Sequence, residues 1–130
     1  ARRLPAFLQA TSAQAQRRLP QLRGIANLQV LDDSNGAQGT WPLLLLLLPD
    51  SHAREAALAR LWRSGLGISC LFVHALPDYD FLGGVVGAAD VPNAREFAAR
   101  SLTIGNSLWL DDARFARVVA VLAEVCALAT

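Results

Sequence analysis

Six leucines run unbroken from Leu43 to Leu48, with Trp41-Pro42 before them and Pro49-Asp50 after. A membrane-spanning helix needs roughly 20 apolar residues, so this run is far too short to cross a bilayer. A secretory signal carries its apolar stretch near the N-terminus behind a basic start, and this run begins a third of the way along. A helix confined between two prolines over so few residues would be marginal in water. A short apolar run bounded by breakers fits a strand in the interior of a sheet, buried on both faces. The sequence therefore predicts a central strand over 41–48, and a fold that must supply layers to cover it.

The flanking segments predict those layers. Residues 5–19 read as a helix opened by Pro5 and ended by Pro20. "ANLQVLDD" alternates, with Leu28 and Val30 on one face, and Asn35-Gly36 is a turn signal leading into the leucine run. "PDSHAREAALARLWRSGLG" is a helix, capped by Asp50 or Ser51 and closed by Gly65. Its apolar side holds Ala57, Leu58, Leu61 and Trp62. "LGISCLFV" reads as a second buried strand. Residues 74–90 form a long loop with one short helix. Asn93 and Glu96 have capping-box spacing for a helix ending near Arg100. "SLTIG" is a short strand. Asp111 caps a last helix whose Phe115, Val118, Val119, Leu122, Val125 and Cys126 follow helical spacing. This order predicts an α+β fold: a small, mainly antiparallel sheet with helices packed on it, preceded by a long connector helix.

Composition narrows the function classes. Of 130 residues, 53 % are hydrophobic and 18 % charged, which excludes a disordered chain and suggests surface covered by another domain or subunit. The net charge of +1 provides no field that would recruit nucleic acid. Residues 1–31 carry Arg2, Arg3, Arg17, Arg18 and Arg23 and no acid, which reads as the solvated or interdomain face of a helix. All twelve basic residues are arginine. The chain has no methionine and opens on Ala1, as expected of a processed chain or a piece of a longer one. Cys70 and Cys126 lie in apolar surroundings and read as free core thiols of a reducing, cytoplasmic compartment.

Candidate chemistry is sparse. His52 and His74 fall on different elements, and no set of ligands has the spacing of a zinc site, so no metal site is expected. Ser69, His74 and Asp78 lie close in sequence, yet no nucleophile elbow or oxyanion donor accompanies them. Asp32-Asp33 and Asp111-Asp112 read as turn and cap residues. "LGGVVGAAD" has glycines but no lysine to reach a phosphate. No catalytic residue is assigned.

Ordered segments nevertheless carry a likeness. "RRLPQLRGIANLQVLDD", the leucine strand, "AREAALARLWRSGLGIS", "LFVHALPDYDFL" and "VPNAREFAARSLTIGNSLWLDDARFARVVAVL" occur in series over about 17–127. Together they resemble the C-terminal small domain of DegT/StrS-type pyridoxal-phosphate-dependent aminotransferases, which aminate keto sugars on nucleotide carriers. Pro92, Ala94, Arg100, Leu102 and Ile104 match that domain's "P-x-A-E…R…L-S-L-P" stretch. Three positions depart from it. The histidine of the family's loop falls near Pro77, while the histidine present is His74. Trp41 stands where a histidine or polar aromatic opens the first main strand. Gly105 replaces the last proline.

The resemblance implies a connector helix over 1–20 from a large domain and a small domain over 21–130. It implies that the small domain closes over the large domain's pyridoxal phosphate cleft. It places His74, Asp78 and Tyr79 at the substrate entrance. It further implies a homodimeric parent protein, while the net charge and the short apolar run lead us to expect no nucleic-acid or membrane partner. Transamination needs a lysine to form the internal Schiff base and move the proton. This chain has none, so it holds no pyridoxal phosphate of its own and does not catalyse alone; whether it is an enzyme depends on the parent. The alternative from another class is a stand-alone α+β protein-interaction domain without enzymatic activity.

Overall fold

The computed structural model describes residues 3–33 and 36–129. Helix α1 spans Leu4–Arg23, followed by strands β1 (Gln29–Leu31) and β2 (Leu43–Leu47). Helix α2 (Ser51–Leu61) leads through a 3-10 turn to strand β3 (Ile68–Ser69). Two further 3-10 turns and the short helix α3 (Gly83–Val86) precede helix α4 (Pro92–Arg100), strand β4 (Ser101–Gly105) and helix α5 (Asp112–Ala127). The four strands form one antiparallel sheet in the order β1-β2-β4-β3. The fold is thus α+β with a long first helix.

The leucine run lies inside the sheet, between β1 and β4, with Leu44 opposite Ile104 and Leu46 opposite Val30 and Leu102. Its burial alternates. Leu44, Leu46 and Leu48 are fully buried, while Leu43, Leu45 and Leu47 are half-buried. The expectation of a strand buried on both faces is therefore corrected. The core gathers on one face, where Leu44, Leu46 and Leu48 join Leu19 and Leu22 of α1, Ala57 and Leu61 of α2, and Phe115, Val118 and Leu122 of α5. The strand period of two exposes every second leucine to the less covered face.

Capping chemistry explains two helices. Asp50 accepts a hydrogen bond from the Ala53 amide at 2.8 Å, and Asp111 one from the Arg114 amide at 2.8 Å. Gly65 ends the turn after α2 at φ 71°, a left-handed conformation that glycine adopts without penalty.

Other boundaries differ from the sequence expectation. Pro20 does not end α1; the helix runs on to Arg23. Burial of Leu22 in the added turn and of Ile25 just beyond it, roughly 1.5–3 kcal/mol each, offsets the roughly 3 kcal/mol cost of an interior proline. Helix α4 starts at Pro92 rather than after Asn93, because proline suits the first helical position; no side chain caps it, and Glu96 pairs instead with Arg100. Within "LGISCLFV" the strand covers only Ile68 and Ser69, with one further backbone bond at Gly67, and the chain leaves β4, its single neighbour, after Ser69. Cys70 is half-buried rather than in the core, and Leu71, Phe72 and Val73 are exposed in a loop. Trp62 is exposed as well, because the tightening to a 3-10 turn at this residue carries it off the buried face of α2. Gly36 takes φ 79°, as a turn glycine does, while Asn35 lies outside the described residues.

The basic face of α1 is likewise not uniformly solvated. Arg18 is 1 % exposed. It donates through Nη1 to Asn106 Oδ1 at 3.0 Å and through Nη2 to the Leu110 carbonyl, with its guanidinium 4.7 Å from the Phe115 ring centre. Burial pushes its pKa below the ordinary arginine value, against the raising effect of Asp112. Asn106 also donates to the carbonyls of Thr11 and Trp41, both at 2.9 Å, and Gln14 donates to Asn106 Oδ1 at 3.2 Å. This buried amide therefore ties α1 to the start of β2 and the end of β4. Arg23, by contrast, pairs with Asp32 at the surface.

Candidate functional site

The site follows from what happens to the chain beyond β3. Of the apolar residues that do not enter the sheet, Phe72 turns towards α4 while Leu71 and Val73 stay exposed. Phe72 meets Phe97 with ring centres 5.8 Å apart, which anchors the start of the loop. The loop then turns through Leu76–Asp78, where the Asp78 amide donates to the Ala75 carbonyl at 3.0 Å. That turn brings His74 and Tyr79 together, edge to face, with ring centres 5.3 Å apart. Tyr79 also packs on Phe81 at 5.4 Å. A cleft of about 420 Å3 opens here, lined by Phe72, His74, Tyr79 and Phe97, with Ala94 and Ala98 of α4 among its other residues. Its size and its mostly apolar lining, with three aromatic rings, fit a pocket for part of a small molecule.

Asp78 lies beside this cleft and does not line it. Its carboxylate is taken by Arg95 of α4. Arg95 Nε donates to both carboxylate oxygens at 3.0 Å, and Nη2 to Oδ1 at 2.8 Å. The same guanidinium reaches the Ala89 carbonyl at 3.3 Å and Asp90 Oδ1 at 3.5 Å. Hydrogen bonding from Arg95 holds the Asp78 carboxyl below the usual carboxylate range, despite an opposing desolvation effect, with smaller contributions from the charges of Arg95 and His74. A carboxyl held low in the folded state contributes its ion pair above its ordinary pKa and loses it as pH falls through the lowered value. The clasp is thus complete at neutral pH and opens only in acid.

Of the three residues expected at a substrate entrance, two share the cleft and the third supports its rim. Ser69 is not drawn into a relay with them. Its hydroxyl donates weakly to the Cys70 carbonyl at 3.4 Å, and Asp78 is committed to Arg95, so no serine–histidine–carboxylate geometry forms. His52 sits apart on α2. Among the described residues, no group of three histidine, cysteine or acidic side chains could hold a metal ion. Within those residues, no helix is long and apolar enough to cross a membrane. The sequence reading missed Arg95. Only its opposite charge to Asp78 hinted at the pairing, and the loop between them hid it.

No family model and no curated protein matches this sequence. Solved structures do match its fold. The aminotransferase TlmJ from Streptoalloteichus hindustanus aligns with a TM-score of 0.74 at 20 % identity, over 98 % of this chain and 34 % of its own. Spr1654 of Streptococcus pneumoniae, assigned as a sugar aminotransferase, aligns with a TM-score of 0.81 at 16 % identity, over 98 % of this chain and 32 % of its own. Spr1654 has also been solved in its PLP and PMP forms. DesV of S. venezuelae, solved with a ketimine intermediate, aligns at 0.76 and 19 % identity, over 95 % of this chain and 33 % of its own. This chain spans about a third of the length of each of these proteins. At such identities the likeness is one of fold: the chain is built like one domain of an aminotransferase.

Proposed function

We propose that this chain is the C-terminal small domain of a DegT/StrS-type, pyridoxal-phosphate-dependent sugar aminotransferase. Its role there is to close over the cofactor cleft of a large domain carried elsewhere in the same protein. The observation that carries this reading is the fold match over nearly the whole chain to about a third of several aminotransferases. The absence of lysine supports a division of labour. The residues here do not fit a covalently held pyridoxal phosphate, because an imine needs a primary amine and arginine offers none. The chemistry then belongs to the large domain, and this domain contributes a wall. His74 and Tyr79 would line the substrate entrance, with Asp78 holding the loop that carries them. A cytoplasmic homodimer is the setting in which we place the parent protein.

The test uses the intact gene product that contains residues 1–130. Borohydride reduction after incubation with pyridoxal phosphate, followed by peptide mass spectrometry, should place one pyridoxyl group on a lysine outside this chain. Residues 1–130 alone, treated alike, should carry no internal adduct. An intact product that binds no cofactor overturns the proposal and favours the interaction-domain alternative.

A further inference from the structure

Residues 79–89 leave the body of the domain at Asp78 and return at Asp90, and one side chain meets both ends. Arg95 grips Asp78 through two nitrogens and reaches the Ala89 carbonyl and Asp90 at the far end. Between those ends the chain makes local turns, Asp80–Leu82 and Gly83–Val86, that pack chiefly on each other and on Leu76–Asp78. The tip is apolar and open. Phe81 is 78 % exposed and Val85 84 %. Gly83 and Gly84 face empty space, and Gly87 holds φ 68°, so glycines punctuate the segment on both sides of Val85-Val86.

We propose that residues 79–89 form a lid with an apolar tip, its neck drawn together by Arg95, and that Arg95 is the positioning residue that keeps Tyr79 against His74 at the mouth of the cleft. An isolated surface ion pair would not do this, because such pairs hold side chains loosely. Here the planar guanidinium engages Asp78 as a fork, which fixes direction as well as distance. Its remaining donors tie down the other end of the segment, so the loop is closed at its base. Segments with few contacts to the rest of a fold are the ones that open locally, and this one keeps its strongest polar ties at the neck. Use of the lid to admit or retain substrate rests on the aminotransferase reading; the clasp itself does not.

The clasp is tested on the 130-residue chain by 15N relaxation of the wild type and the variants Arg95→Ala, Arg95→Lys and Asp78→Asn. In Arg95→Ala and Asp78→Asn, the heteronuclear NOE of amides 79–89 should fall together. The Tyr79–His74 ring NOE should vanish, while the methyl shifts of Leu44 and Ile104 stay in place. Arg95→Lys keeps the charge without the fork and should restore the loop only in part. Should Arg95→Ala fail to fold, Asp78→Asn supplies the same readout with α4 untouched. A segment as rigid in both variants as in the wild type, or loosened only at 89–90, overturns the clasp. In the intact protein, Arg95→Ala should raise KM for the amino acceptor roughly threefold or more with kcat and the cofactor spectrum unchanged. An unmoved KM beside a loosened loop overturns the role at the entrance. An intact protein without cofactor would instead sink the aminotransferase reading and leave the relaxation result standing.

Discussion

Arg17 and Arg18 are adjacent and chemically identical, yet one is exposed and the other lies at 1 % exposure under α5. The guanidinium of Arg18 is held by neutral acceptors, Asn106 Oδ1 and the Leu110 carbonyl, and by the face of Phe115. The balance of that pocket therefore depends on Asn106. Asn106→Ala should cost about 3 kcal/mol, because it strips an acceptor from a buried charge and two donors from the α1–β2 junction. Arg18→Met removes the charge itself and refills the space with a flexible apolar chain, so its cost should be smaller, about 1 kcal/mol. Urea denaturation followed by tryptophan fluorescence checks both, and the reverse ranking would refute the account. The signal for Arg18 was present in the sequence. Thr11, Gln14, Ala15, Arg18, Leu19 and Leu22 repeat at helical spacing and form the buried side of α1. The polar members of that stripe concealed it from a hydrophobic pattern. Gly105 tells a similar story. Its amide donates to the Gly67 carbonyl at 2.7 Å, a bond that the proline expected from the resemblance could not make.

At the scale of elements, the two faces of β2 should answer differently to substitution. Leu46→Ala empties a fully buried position and should cost about 3 kcal/mol. Leu45→Thr, on the half-buried face opposite Thr103 and Leu31, should cost less than about 1 kcal/mol, since threonine suits a strand and can pair across it. Thermal melts of the two variants separate these outcomes, and equal losses would show that both faces are packed alike. The elements legible in the sequence were those with a local cause: α2 and α5 have aspartate caps and helical spacing, and β2 has its prolines. Those that were misread have a distant cause. β3 stops at Ser69, where the chain leaves β4 and Phe72 turns towards α4, and α1 passes Pro20 because the sheet below it rewards continuation. The candidate site was half legible for the same reason. His74, Asp78 and Tyr79 are close in sequence, but the residue that organises them arrives from α4.

For the molecule as a whole, the apolar surface is unevenly finished. A groove of about 460 Å3 runs between α1 and the segment after β4, lined by Phe7, Leu8, Pro42, Leu108 and Trp109 among others. Trp109 is 89 % exposed and Phe7 53 %. With a net charge of +1, little repulsion keeps two copies apart. The chain should therefore self-associate at high concentration, and the double substitution Phe7→Ser, Leu8→Ser should shift it towards monomer without unfolding. Sedimentation equilibrium decides, and a wild type that stays monomeric throughout would refute this. The leucine strand carries a different consequence, for the chain before it is folded. β2 finds its main partner, β4, only after the whole stretch through α2 and α4 has been made. Pairings so far apart in sequence form late. Until then six adjacent leucines with no charge among them are a template on which other nascent chains can stack. Pro42 and Pro49 bracket that template, and since proline offers no amide to a growing ladder, they limit the length over which misassembly could spread.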